Sequence, residues 1–150
     1  MKIEIFDDSM IKIFVNSNYL KNVDFNSKEE IVLTVKEVIM KYKMRLNLNG
    51  FYKVKVFVKE EIGFFIEIIK LDDNMYSDIV DLKVIVYLEQ KVYFKTSDYN
   101  ILPSKTKIYY LDNYFYCDVD DLLNIYSVVE FGEYVYGKTI DLIRSRSIIV

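Results

Sequence analysis

The 150 residues are 52% hydrophobic and carry 20 basic and 23 acidic side chains, giving a net charge of −3. This length suits one ordinary domain or two very small ones, and the apolar content is high enough to exclude a disordered chain. Lys and Arg form no long run, so the sequence shows no electrostatic footprint for nucleic acid and we expect no such partner.

The sequence contains no histidine and a single cysteine, Cys117. These counts exclude the commonest general base, histidine metal ligands, the usual catalytic triads and an internal disulfide. No P-loop or dinucleotide fingerprint is present. We therefore expect no catalytic residue, no metal, no cofactor and no enzymatic activity. One unpaired cysteine favours the reducing cytoplasm.

The chain starts MKIEIFDDS, with charged side chains from its second residue, and no apolar run approaches the roughly 18 residues of a membrane span. We expect neither a signal peptide nor a membrane partner.

Residues 2–15 alternate on both sides of Asp7-Asp8-Ser9, which predicts a hairpin. Ser27 and Glu30 form a capping box, and an amphipathic helix is expected over 28–45.

Residues 51–58 and 64–70 alternate around a turn and predict a second hairpin. The polar segment 71–78, LDDNMYSD, is the best internal boundary, although it is too short for a flexible linker. We therefore expect residues 1–150 to form one compact unit, or else two small halves, 1–73 and 74–150.

In the second half, residues 81–95 predict two strands that turn near residues 89–91. The segments 107–111 and 114–117 flank Asp112-Asn113, a pair that tolerates the left-handed backbone of a two-residue hairpin turn.

A helix is expected after Asp118 or Asp120, carrying apolar residues 122–129 and ending at Gly132. A short helix over 138–144 and a closing strand, SIIV, complete the chain. The predicted fold class is α+β, with largely antiparallel hairpins packed against two main helices.

Asp118, Asp120 and Asp121 raise two interpretations. Carboxylates close in sequence can share a Mg²⁺ ion, which would suit a metal-dependent phosphotransfer enzyme. Asp also stabilises the first turn of a helix, and we favour this second interpretation.

Other reactive side chains have similar alternatives. Cys117 could be a nucleophile, but the neighbouring Asp118 disfavours the thiolate, so a core position in a strand is expected. Arg144 and Arg146 could bind phosphate or an acidic peptide, although solvated charges are the simpler interpretation.

The second half is rich in tyrosine. Strand alternation sends about half of these side chains outward, where tyrosine suits protein interfaces. Packing under the C-terminal helix and stacking on single-stranded nucleic acid are the alternatives. The residues concerned are Tyr109, Tyr110, Tyr114, Tyr116, Tyr134 and Tyr136.

The order VYFKTSDYNIL, KIYYLDNYFYC, LLNIYSVVEFGE and SIIV resembles the C-terminal domain of the MecA family of adaptor proteins, and the opening MKIE is similar to that family's first hairpin. The resemblance implies a cytosolic adaptor that binds a Clp-type ATPase through its second half and a client protein through its first. The matching residues are Phe94, Ser97, Asp98, Tyr99, Tyr109, Tyr110, Tyr114, Tyr116, Leu122, Leu123, Phe131 and Gly132.

We therefore predict a protein-binding adaptor or regulator with Tyr110, Tyr114, Tyr116 and Glu130 as contacts. One alternative function is a phage or mobile-element inhibitor of a nucleic-acid-binding enzyme, because the acidic excess lies in the second half. The phosphotransfer enzyme described above is the other. Edge strands could also pair between chains, so a homodimer is an open prediction.

Overall fold

The computed structural model describes residues 1–7, 9–72, 79–88, 91–102, 106–121, 133–136 and 138–150. Its contacts divide the chain into two compact units, Met1–Glu89 and Gln90–Val150. Across the described residues, two mostly antiparallel sheets combine with helices, and the predicted α+β class is confirmed. No helix in this part of the chain is both long and apolar enough to cross a membrane.

The first unit contains a five-stranded sheet of β1 (Lys2–Asp7), β2 (Met10–Asn16), β3 (Gly50–Lys59), β4 (Gly63–Asp72) and β5 (Val80–Leu88). The strands lie in the order β1-β2-β4-β3-β5. Both predicted hairpins, β1–β2 and β3–β4, are present and antiparallel. One sheet face packs on the first helix and forms the apolar core of this unit.

The predicted helix is present as α1 (Lys28–Lys41), followed by the short α2 (Lys43–Leu46). Ser27 caps α1 by accepting a hydrogen bond from the backbone N–H of Glu30 at 3.3 Å. In a capping box the Glu30 carboxylate would accept from the N–H of Ser27. Here it accepts instead from the N–H of Asp24, three residues earlier, at 2.7 Å. Apolar residues at every third or fourth position of α1 face the sheet. Its fully buried residues are Ile31, Val35 and Ile39.

The predicted hairpin over residues 81–95 is wrong. β5 instead pairs in parallel with β3 along its whole length, from Gly50 opposite Val80 to Val58 opposite Leu88. This register places alternate apolar side chains of β5 in the core of the first unit. The division between units consequently falls after β5, at residues 89 and 90, and not at residues 73 and 74.

The second unit contains an antiparallel sheet of β6 (Val92–Thr96), β7 (Tyr109–Leu111), β8 (Tyr114–Asp118), β9 (Glu133–Tyr136) and β10 (Ile148–Ile149). The strands lie in the order β10-β7-β8-β6-β9. The hairpin around Asp112-Asn113 is confirmed, with φ of 51° and 72° at the two turn residues. Strand β9 had no counterpart among the predicted elements.

The predicted short C-terminal helix is confirmed as α3 (Lys138–Arg146), and the closing strand pairs with β7. Ile140 and Ile143 of α3 pack on Tyr93 and Tyr116 of the sheet. The other main predicted helix, over residues 122–129 and ending at Gly132, lies outside the described residues, as do residues 73–78 of the predicted boundary segment.

Candidate protein-binding surface

The β7–β8 hairpin carries the tyrosines predicted to bind a partner. Tyr109 lies opposite Tyr116, and Tyr110 lies opposite Phe115. Residues that face each other across strands share a side of the sheet, and neighbours along a strand alternate. Tyr109, Tyr114 and Tyr116 therefore lie on one face and Tyr110 on the other, so the predicted contacts are divided between two faces.

Tyr116 is a core residue. Only 7% of it is exposed, because α3 covers it through Ile140 and Ile143. Burial raises the pKa of its phenol, and the carboxylate of Asp112 adds to the shift. A partner cannot reach this side chain without displacing α3, so the structure gives Tyr116 a place in folding, which is the packing alternative considered for these tyrosines.

Tyr93 connects the same core to the surface. It is 2% exposed and its ring stacks on Tyr109 with centroids 5.7 Å apart. Nε of Arg144 donates to the Tyr93 hydroxyl at 2.9 Å, and the guanidinium lies 5.8 Å from the ring centroid. Burial raises the pKa of Tyr93, and the hydrogen bond from Arg144 opposes this shift. Arg144 is thus anchored on the sheet through a buried tyrosine.

Tyr114 is accessible on the face that α3 partly covers. It is 40% exposed, and Nζ of Lys95 lies 4.1 Å from its ring centroid. Lys95 also pairs with Glu133 of β9 at 3.8 Å. The cation holds the ring in place from one side, so Tyr114 presents a partly fixed aromatic surface to solvent.

The opposite face carries an aromatic group that we call the Tyr99 cluster, formed by Tyr99, Tyr110 and Phe115. The ring of Phe115 lies 5.2 Å from Tyr99 and 5.0 Å from Tyr110. Tyr99 is 45% exposed. The Tyr110 hydroxyl hydrogen bonds to the side-chain oxygen of Asn113 at 3.1 Å.

A short 3₁₀ turn, Tyr99–Ile101, positions the exposed ring of this cluster. The Asp98 carboxylate accepts from the N–H of Asn100 at 3.0 Å, and the N–H of Asp98 donates to Thr96 at the same distance. Tyr99 and Phe115 were not among the predicted contacts. The signal for Tyr99 was an Asp followed by an aromatic residue, two positions after the end of a strand, since Asp commonly caps such turns.

The acidic group at the end of β8 acts as a cap. The Asp118 carboxylate pairs with Lys91 at 2.8 Å and accepts from the N–H of Asp120 at 2.9 Å, at the start of the 3₁₀ turn Val119–Asp121. The hydrogen bond that Lys91 donates to Asp118, together with the charge of that carboxylate, raises the pKa of Lys91. Among the described residues, no group of three or more His, Cys, Asp or Glu is arranged to hold a metal.

Cys117 is fully buried within β8, as expected for a core position in a strand. Glu130, the fourth predicted contact, lies outside the described residues, as do Leu122, Leu123, Phe131 and Gly132 of the family resemblance.

The first unit has a concave feature of its own. An open groove of about 290 Å³ runs beside α1 and is lined mainly by apolar and aromatic side chains, including Tyr19, Leu20, Val38 and Tyr42. Tyr19 is 72% exposed at its edge. A concave surface with this kind of lining is typical of sites that take up an apolar group of a ligand.

No known protein-family model, curated protein or solved structure matches this chain. The α+β class thus rests on the structure itself, and the resemblance to the MecA family stays a prediction.

Proposed function

We propose that this protein is a non-catalytic adaptor or regulator that binds other proteins through the β7–β8 hairpin. The observation that supports this function is a pair of exposed tyrosines at the hairpin. Tyr114 lies on one face, and Tyr99 packs against Phe115 on the other. Tyrosine contributes a large contact area at a small cost in side-chain entropy, and it is enriched among the residues that dominate binding energy.

The rings are held before any partner arrives. Lys95 packs on Tyr114, and Phe115 holds Tyr99 and Tyr110. A side chain that is already ordered loses less entropy on binding, which favours affinity. Tyr116, in contrast, supports the hairpin from below and takes no direct part in the proposed contact.

The resemblance to the MecA family suggests the partners. We propose a bacterial, cytoplasmic protein that takes part in regulated proteolysis, in which the second unit binds a Clp-type ATPase. A client protein would then bind the first unit, and the groove beside α1 is the concave surface in that unit suited to one of its apolar side chains.

Affinity capture from a bacterial lysate tests this function. We expect Tyr114→Ala or Tyr99→Ala to reduce recovery of at least one specific protein by about fivefold or more, since truncating a residue that dominates binding costs more than about 1 kcal/mol. Phe51→Ala, which alters a side chain of similar exposure in the first unit, should leave recovery unchanged.

Mass spectrometry of the captured proteins then separates the functions. A Clp-type ATPase whose recovery depends on Tyr114 or Tyr99 supports the adaptor. A variant-dependent nuclease or polymerase supports the inhibitor instead. Equal capture by the unaltered protein and by both folded variants would rule out the hairpin as the binding surface.

A further inference from the structure

Strand β1 forms one edge of the sheet in the first unit. Among the described residues it pairs only with β2, so the backbone N–H and C=O groups on its other side face no neighbouring strand. Such an edge is a template for pairing with a further strand unless it is protected. The side chains of β1 indicate which strand fits.

The two faces of β1 differ in chemistry. Ile3 and Ile5 lie opposite Ile13 and Ile11, on the side of the sheet that packs on α1. Ile5 is nevertheless 58% exposed, an apolar side chain without full cover at the sheet edge. The other face of β1 carries charges of opposite sign.

Lys2 and Glu4 stand two residues apart on this second face, and their side chains form an ion pair at 2.6 Å. In an antiparallel pair of identical strands related by a two-fold axis, residues at equal distances from the axis face each other. An axis at Ile3 therefore places Lys2 opposite Glu4 of the partner subunit, and Glu4 opposite the partner's Lys2.

We infer that β1 is a self-association edge, at which a second copy of this chain pairs antiparallel with its own β1 about a two-fold axis at Ile3. The first-unit sheets of the two copies then form one continuous sheet. Ile3 contacts the partner's Ile3, and Met1 covers the partner's Ile5 on the apolar face. Two further Lys–Glu pairs form on the other face.

Other registers are less favourable. An axis at Glu4 would bring two carboxylates together, and like charges directly opposite destabilise a strand pair. An axis at Ile5 would place Ile3 opposite Asp7, an apolar side chain against a carboxylate. The pairing of β1 with β2 is irregular between Ile5 and Asp7, which ends the regular strand on this side and confines the new ladder to the first five residues.

This contact is short, so the dimer is expected to be reversible. A standard stable interface buries about 800 Å² on each partner, more than five residue pairs of one strand supply. We expect a dissociation constant on the order of 100 μM. Sedimentation velocity from about 10 μM to 1 mM covers this range.

Charge reversal tests the register. Lys2→Glu and Glu4→Lys each place like charges opposite one another, and each should weaken dimerisation by about tenfold or more. The double variant Lys2→Glu/Glu4→Lys restores opposite charges and should return to within about threefold of the unaltered protein. Lys83→Glu on β5, the other edge strand of this sheet, is the control and should have no effect.

Disulfide trapping tests the same register independently of affinity. In Ile3→Cys the two sulfurs meet at the axis, where Cα atoms of facing residues lie about 4.5–5.5 Å apart, within disulfide range. In Ile5→Cys they lie about 13 Å apart along the strands. Oxidation should therefore link Ile3→Cys and not Ile5→Cys, against a background set by the unaltered protein with its buried Cys117.

Three results would overturn the inference: a protein that stays monomeric at 1 mM, a double variant as weak as the single ones, or cross-linking that is no stronger in Ile3→Cys than in Ile5→Cys. Weakening by Lys83→Glu alone would assign self-association to β5 instead.

Discussion

Replacing Tyr116 with Ala should unfold the second unit far more readily than replacing Tyr114, two residues away. Tyr116 is 7% exposed and packs on Ile140 and Ile143, whereas Tyr114 is 40% exposed. Truncating a buried aromatic residue costs about 3–5 kcal/mol, from lost transfer free energy and the cavity that remains. Tyr114→Ala removes a ring that is only partly buried, together with its contact with the Lys95 cation, and we expect a loss of about 1 kcal/mol in the free energy of unfolding.

Thermal unfolding followed by near-ultraviolet circular dichroism measures the difference. At about 4–8 °C per kcal/mol for a unit of this size, Tyr116→Ala should lower Tm by at least about 12 °C, and Tyr114→Ala by no more than about 8 °C. Tyr116→Phe retains the ring and serves as the matched control, with a cost below about 1.5 kcal/mol. Equal Tm values for the two alanine variants would refute the assignment of Tyr116 to the core.

Two further predictions concern the first unit. Gly63 has φ of +141°, and a Cβ there would lie 1.9 Å from the carbonyl oxygen of Val15, so Gly63→Ala should cost at least about 3 kcal/mol in urea unfolding; a loss below about 1 kcal/mol would contradict the clash. The pKa of Asp7 is lowered because Ser9 donates two hydrogen bonds to its carboxylate. The stabilisation is therefore present above the ordinary aspartate pKa and is lost as the pH falls through the lowered one. Ser9→Ala removes the hydroxyl hydrogen bond and keeps the one from the backbone N–H, so NMR titration should show it raising this pKa; an unchanged midpoint would exclude the hydroxyl as a cause of the shift.

Local signals in the sequence were sufficient for the elements that depend on neighbouring residues. Ser27 caps α1 as expected, and the left-handed preference of Asp112-Asn113 produces the β7–β8 turn. These preferences act over a few residues, so a single sequence contains them in full. The helix 138–146 was recognisable for the same reason.

Strand partners were harder to predict, because they depend on residues far apart in the sequence. Residues 81–95 were predicted to form two strands that turn near residues 89–91, since consecutive strands usually pair. Strand β5 instead gains more apolar burial by extending the β3 edge, where its alternate side chains enter the core under α1. The pattern within β5 is the same for either partner, so periodicity cannot decide between them.

The same limit applies to the candidate site. Alternation predicted that some tyrosines point outward, but the position of α3 decides that Tyr116 is buried while Tyr114 is exposed. A short amphipathic helix indicates which of its own residues are apolar and not which strand residues it covers. Tyr99 was missed because its exposure depends on a turn that packs it on Phe115 of a different strand.

The placement of Tyr114 and Tyr99 on opposite faces constrains how an adaptor could use the hairpin. A β-sheet separates its two faces by the thickness of its backbone and side chains, so a flat partner surface can contact only one of them. If one partner bound both, it would have to enclose the hairpin tip, and Tyr114→Ala and Tyr99→Ala would reduce recovery of the same protein. If each face has its own partner, the two variants would lose different proteins. An adaptor that joins two proteins needs the second arrangement, unless the first unit supplies the other contact, so the pattern of losses bears directly on the mechanism.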